Sequence, residues 1–170
     1  IFLYNDTIGC VEYVQHMGDD LTIVNAARVS FGVEKDELDQ RDKKLINYLI
    51  RHRHTSTLEH NIITFRFVVP LFVRSQHHRH RTWSYNEISR RYTDVNMQFY
   101  EPNEFRVQHK SNRQASNTEE LIDPHLYKKP DEKAVPLLHP SASETYSQHC
   151  MHSLLLFEEL VNKGVCREQA

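Results

Sequence analysis

The chain has 170 residues, room for one domain with a sizeable core, and 39% hydrophobic and 26% charged residues give it an ordinary globular composition. A net charge of −2 argues against a protein that coats nucleic acid, and no run is long and apolar enough to cross a bilayer. Three widely spaced cysteines, Cys10, Cys150 and Cys166, match neither a disulfide framework nor a zinc site, so packing is their expected role and a reducing cytoplasm the expected location.

The opening IFLYNDTIGC lacks the basic start and apolar run of a secretory signal, and the missing initiator Met leads us to expect earlier residues. Ile1 to Tyr4 and Cys10 to Met17 read as strands. Gly18-Asp19-Asp20 is a turn from which Asp19 or Asp20 can cap a helix running to Arg28, broken at Ser30-Phe31-Gly32. The charged stretch from Glu34 to Lys44 leads into a helix with Leu45, Ile46, Leu49 and Ile50 at helical spacing, ended by His52, His54 and Thr55. Ile62 to Val69 is β-branched and aromatic and reads as a buried strand. Pro70 suits the first turn of a helix through Leu71, Phe72 and Val73 toward Gln76, followed by a polar loop.

Met97 to Glu104 is turn-rich. Residues 108–143 are polar, carry Pro124, Pro130, Pro136 and Pro140, and read as a long excursion with a short helix near Glu119 to Ile122. Ser141 or Ser143 caps a final helix from about Ala142 to Lys163, stopped by Gly164, and Val165 to Ala170 looks like the start of another helix. These elements imply an α/β (α+β) fold: a central β-sheet flanked by helices, the long polar excursion, and a C-terminal helical part that is incomplete.

Residues 74–92 read RSQHHRHRTWSYNEISRRY, with Arg74, Arg79, Arg81, Arg90 and Arg91 against a single acid, Glu87. Guanidinium groups grip phosphate in a planar fork, so the cluster suits a phosphorylated ligand, and the near-neutral whole favours a small anion over a polyanion. Ser84, Asn86 and Ser89 lie between the arginines, where a merely solvated face needs no such pattern. A metal is disfavoured: His52, His54 and His60, and His77, His78 and His80, form no H-E-x-x-H pattern, and arginines crowd the second group. Trp83 and Tyr85 could stack on RNA bases, but neither an RNP pattern nor a basic surplus supports that.

Arg79 to Tyr92, RHRTWSYNEISRRY, resembles the R-H-R-x-x-S-x-N-E-x-S-x-R-Y motif of the flavin-dependent thymidylate synthases and meets all nine of its specified positions. Ala26 to Gly32 (AARVSFG), His54 to His60 (HTSTLEH), Gln76 and Gly164 to Ala170 (GVCREQA) are similar to further segments of that family. The resemblance covers most of the chain apart from 108–143 and implies one domain over residues 1–170.

It further implies reductive methylation of dUMP to dTMP, with methylenetetrahydrofolate as carbon donor, FAD as hydride carrier and NADPH as reductant. Gln76, Arg79, Glu87, Ile88, Ser89, Arg90 and Arg91 would meet dUMP. Ser30, His54, Ser56, Glu59, Arg79, His80, Arg81, Asn86 and Glu87 would border FAD. Ser89 has no evident base and would orient substrate rather than attack it. The arginine that activates the pyrimidine is expected beyond Ala170, so the chain is expected to be truncated there. The resemblance also implies a homotetramer with sites shared between subunits, in the cytoplasm (a host's, if the protein is viral), with no metal, nucleic-acid or membrane partner. A non-catalytic flavin- or nucleotide-binding fragment and, behind it, an RNA-binding protein stand as alternatives.

Overall fold

A computed structural model describes residues 1–4, 6–126 and 140–170. The chain divides into two units, Ile1–Val69 and Pro70–Ala170.

In the first unit, β1 (Cys10–Met17) pairs antiparallel with β2 (Ile62–Val68). Cys10 faces Val68 and Met17 faces Ile62; Val14 is an extra residue between the Tyr13–Phe65 and Gln15–Thr64 pairs, a bulge. Gly18 ends β1 at φ 80°, and a Cβ there would come within 1.8 Å of the Asn61 side-chain oxygen, so any other residue is strained there and must displace Asn61. The chain then enters α1 (Asp20–Arg28), where Asp19 accepts the Thr22 N–H at 2.9 Å and the Thr22 hydroxyl oxygen accepts the Asp19 N–H in return. α2 (Gln40–Arg51) is capped in the same way by Asp39 and Asp42. It begins inside the charged stretch because its first turn uses acids as caps. A 3-10 turn, Val29–Phe31, closes α1, and another, Thr55–His60, leads into β2.

The core of this unit is small: Ile23 and Val24 of α1 and Leu49 of α2 are buried, along with Cys10. Buried with them is Asp42, which accepts from Arg28 at 2.6 Å, from the Asp39 N–H at 3.0 Å and from the Lys35 ammonium. Asn25 holds the Lys35 backbone through both amide atoms, at 2.8 and 3.0 Å.

The second unit opens with α3 (Leu71–His77), with Pro70 at its N-cap. β3 (Phe105–Gln108) pairs antiparallel with β4 (Ser116–Ile122), and α4 (Ala142–Asn162) carries a Ser141–Glu144 capping box. Asp123, just past β4, accepts from the Ser143 N–H at 2.8 Å and its hydroxyl at 2.6 Å, tying the start of α4 to the hairpin. Cys150 is buried on α4. Among the described residues no helix is long and apolar enough to cross a membrane.

The mixed α/β class holds, with the strands arranged as two two-stranded sheets. Four expectations are corrected. Ile1 to Tyr4 contributes only an isolated bridge, Phe2 to Cys10. Ile62–Val68 is a strand but is not buried: with β1 as its sheet partner, Ile63 remains 57% exposed. Glu119 to Ile122 is part of β4 rather than a helix, because pairing with Phe105 and Arg106 outweighs local helix propensity. Cys166 is exposed, so packing does not explain it. Val165 to Ala170 makes a single turn, in which the N–H groups of Gln169 and Ala170 donate to the Cys166 carbonyl. The part of the 108–143 excursion spanning 127–139, with Pro130 and Pro136, lies outside the described residues.

Candidate functional site

Two groups of expected site residues take shape, one in each unit. In the second unit, α3 delivers Gln76 and then tightens into turns, with the Gln76 and His77 carbonyls accepting the N–H groups of Arg79 and His80 at 3.1 Å. The loop that follows has no regular secondary structure from Ser84 to Ser89 and is held by side chains. The Tyr85 hydroxyl lies 2.8 Å from the His77 carbonyl and 2.9 Å from that of His80. Its ring lies against His78 at 4.2 Å and parallel to Trp83 at 6.4 Å, so Tyr85 clamps the loop to the end of α3.

Three further clasps fix the arginines. The Arg74 Nε donates to Glu87 at 2.6 Å and a terminal guanidinium nitrogen takes the other carboxylate oxygen. That hydrogen bond holds the Glu87 carboxyl below the usual range, against the opposing cost of partial desolvation. Arg90 donates to the Val95 carbonyl at 3.0 Å, bracing the turn that follows the motif. The Arg91 Nε lies 2.6 Å from a carboxylate oxygen of Glu168, with both side chains largely exposed. Ser89 accepts the Arg91 N–H on its hydroxyl oxygen at 3.3 Å, and its carbonyl accepts the N–H groups of Tyr92 and Thr93. Arg79, His80, Arg81, Asn86 and Ile88 are exposed on the loop. With Glu87 already neutralised by Arg74, the side chains of Arg79 and Arg81 keep a net positive charge facing solvent.

In the first unit, an open cavity of about 550 Å³ is lined by Ala26, Ala27, Ser30, Leu49, Arg53, His54, Thr55, Ser56 and Thr57. Three of the expected residues, Ser30, His54 and Ser56, meet here; Glu59 follows on the same 3-10 turn but does not line the cavity. The His54 ring sits edge-on to Tyr48, 5.9 Å away, and Tyr48 packs on His52 at 4.2 Å. Hydroxyls, an imidazole and a guanidinium with no carboxylate among them suit a ligand that is anionic and rich in hydrogen-bonding groups. The volume falls within the ~300–1,000 Å³ of small-molecule sites. Sequence reasoning missed Arg53, because an arginine at a helix end carries no signal of cavity lining. It also missed the anchoring role of Tyr85, whose acceptors are backbone carbonyls.

A family profile described as "Thymidylate synthase complementing protein" matches residues 12–170, nearly the whole chain and both groups of residues. The chain belongs to the thymidylate synthase complementing protein family. Within that family it is 44% identical over 162 residues to a flavin-dependent thymidylate synthase of Thermus thermophilus, covering 95% of this chain and 53% of the relative. It is 36% identical over 163 residues to one from Thermosipho melanesiensis, covering 95% and 64%. The chain thus spans about half the length of the Thermus relative it matches. A solved structure of the UMP/dUMP methylase PolB from Streptomyces cacaoi, bound with 5-Br dUMP, superposes with a TM-score of 0.61 at 30% identity, covering 99% of this chain and 67% of that one.

Proposed function

We propose that this chain works in the reductive methylation of dUMP to dTMP, as one thymidylate synthase domain taking methylenetetrahydrofolate as carbon donor, NADPH as reductant and FAD as cofactor. The observation that carries the reading is the complete nine-position motif, set on a loop whose one acid is neutralised by Arg74, so that Arg79 and Arg81 present uncompensated charge. The relatives named as flavin-dependent thymidylate synthases support it.

In this reading Gln76, Arg79, Glu87, Ser89, Arg90 and Arg91 contact dUMP, with arginines neutralising its phosphate and main-chain groups of Ile88 and Ser89 serving that phosphate as well. A guanidinium near the ring stabilises the negative charge that makes its carbon nucleophilic. Ser89, whose hydroxyl oxygen accepts the Arg91 N–H, orients rather than attacks. Ser30, His54, Ser56, Glu59, Arg79, His80, Arg81, Asn86 and Glu87 border the flavin, which when bound supplies the hydride chemistry. The assembly is a homotetramer in the cytoplasm, with sites shared between subunits.

Protein expressed from its gene and purified gently should carry a yellow flavin spectrum and convert dUMP to dTMP with methylenetetrahydrofolate and NADPH. Colourless protein that FAD cannot reconstitute would sink the reading. Flavin binding without turnover would leave a non-catalytic nucleotide-binding protein. A stable monomer in sedimentation that still holds FAD would count against the tetramer.

A further inference from the structure

We propose that Arg53 is an anion-binding residue of the cavity formed by Ser30, His54 and Ser56, where its guanidinium takes an oxyanion group of the bound cofactor or substrate. The identity of that ligand rests on the flavin-dependent reading above; the anion chemistry rests on the cavity.

The first observation is the backbone. α2 ends at Arg51 with His52 as its C-cap, and Arg53 follows at φ 55°, in the left-handed region. The Arg53 N–H donates to Ile50 at 3.1 Å and the His54 N–H to Leu49 at 2.8 Å, the paired bonds of a Schellman ending. The residue at that position is usually glycine, because a Cβ there is strained. An arginine bears that strain and adds nothing to the helix ending, which is made by main-chain atoms alone.

The second observation is what the side chain does. Among the described residues the Arg53 guanidinium makes no hydrogen bond or ion pair, whereas Arg28 and Arg66, in the same unit, are held by Asp42 and Glu12. Arg53 instead lines the cavity.

The third is the company it keeps there. Ser30, Thr55 and Ser56 offer hydroxyls, His54 an imidazole, and no carboxylate lines the cavity to neutralise the charge. A guanidinium among hydroxyl donors is matched by phosphate or carboxylate oxygens. Two sources offer that chemistry: the pyrophosphate of a flavin dinucleotide and the carboxylates of a folate.

The test is Arg53→Gly beside Arg53→Lys, in protein expressed from its gene. Glycine suits φ 55°, so the Gly variant should fold at least as well as the parent, and a binding loss cannot be ascribed to unfolding. Loss of one charge-assisted contact should weaken FAD binding about 10- to 100-fold, with riboflavin, which has no phosphate, unaffected and Lys restoring part of the loss. Inorganic pyrophosphate should compete with FAD on the parent more strongly than on the Gly variant. If FAD affinity is unchanged and the KM for methylenetetrahydrofolate rises instead, the anion is the folate carboxylate. A Gly variant equal to the parent toward both ligands overturns the proposal. A parent that binds neither flavin nor folate overturns the proposed function instead, so the two failures are distinct.

Discussion

Arg74 of α3 and Glu87 of the loop hold each other at two points, Nε to carboxylate oxygen at 2.6 Å and a terminal nitrogen to the other oxygen. The planar fork fixes orientation as well as distance, so residue 87 is registered against the helix that carries Gln76. An acid set among arginines would otherwise cancel part of the field offered to a phosphate.

Arg74→Ala should therefore alter the site more than the fold. Both partners are partly exposed, and such a pair contributes less than about 1 kcal/mol to stability. That contribution is present above the unfolded glutamate value, pH ~4.3, and is lost as pH falls through the lower folded value. NMR titration of Glu87 should show its midpoint rising in Arg74→Ala, and dUMP affinity should fall as the loop loosens. An unmoved midpoint would show that Arg74 does not set the Glu87 charge.

Asp42 should be the acid-sensitive point of the first unit. Hydrogen bonds from Lys35, from the Asp39 backbone and from Arg28 hold its carboxyl far below the usual range. The stability this gives is complete above the unfolded value, pH ~4, and drains as pH falls through the folded one. Asp42→Asn leaves Arg28 and Lys35 facing a neutral group and should lower the urea midpoint at neutral pH by about 1 M. Its stability should also fall less steeply below pH ~4 than that of the parent. A parent-like midpoint and acid limb would remove Asp42 from this role.

Gly18→Ala tests a collision rather than a charge. Its Cβ would lie 1.8 Å from the Asn61 oxygen at a backbone φ of 80°. The cost should be about 1–3 kcal/mol in chemical denaturation. Gly32→Ala, at φ 62° with open space around it, should cost less, and the difference isolates the contact with Asn61.

Arg91→Ala separates ligand from scaffold. Its partner Glu168 is about half exposed, so thermal stability should change by less than about 1 kcal/mol. If Arg91 serves the nucleotide phosphate, titration calorimetry should show dUMP binding weakened by roughly 1.5–3 kcal/mol. Unchanged affinity would remove Arg91 from the substrate site.

Features decided by neighbours in the chain were legible from sequence. Asp19 and Ser141 announce helix starts, and Gly164, at φ 92°, announces an ending. Features decided by distant partners were not. Glu119 to Ile122 reads as helix until Phe105 and Arg106 pair with it. The apolar character of Ile62–Val68 specifies a strand, but its burial depends on what packs against it. In the site, the motif named the basic loop, while the pairing of Arg74 with Glu87 and of Arg91 with Glu168 depends on how the chain folds back. Arg53 was hidden for the opposite reason: the backbone there calls for glycine and the sequence does not supply one.

The bulge at Val14 has a consequence for how the gene of this protein can change length. Eight residues of β1 are matched to seven of β2, and the surplus sits at one point. An allele lacking codon 14 would leave each remaining residue opposite its present partner and merely straighten the ribbon. Loss of a codon from β2, at Ile63 for example, would demand a second bulge or turn over every side chain on one side of the gap. Near the bulge, deletions should therefore be tolerated on the longer strand and insertions on the shorter one, and the reverse changes purged.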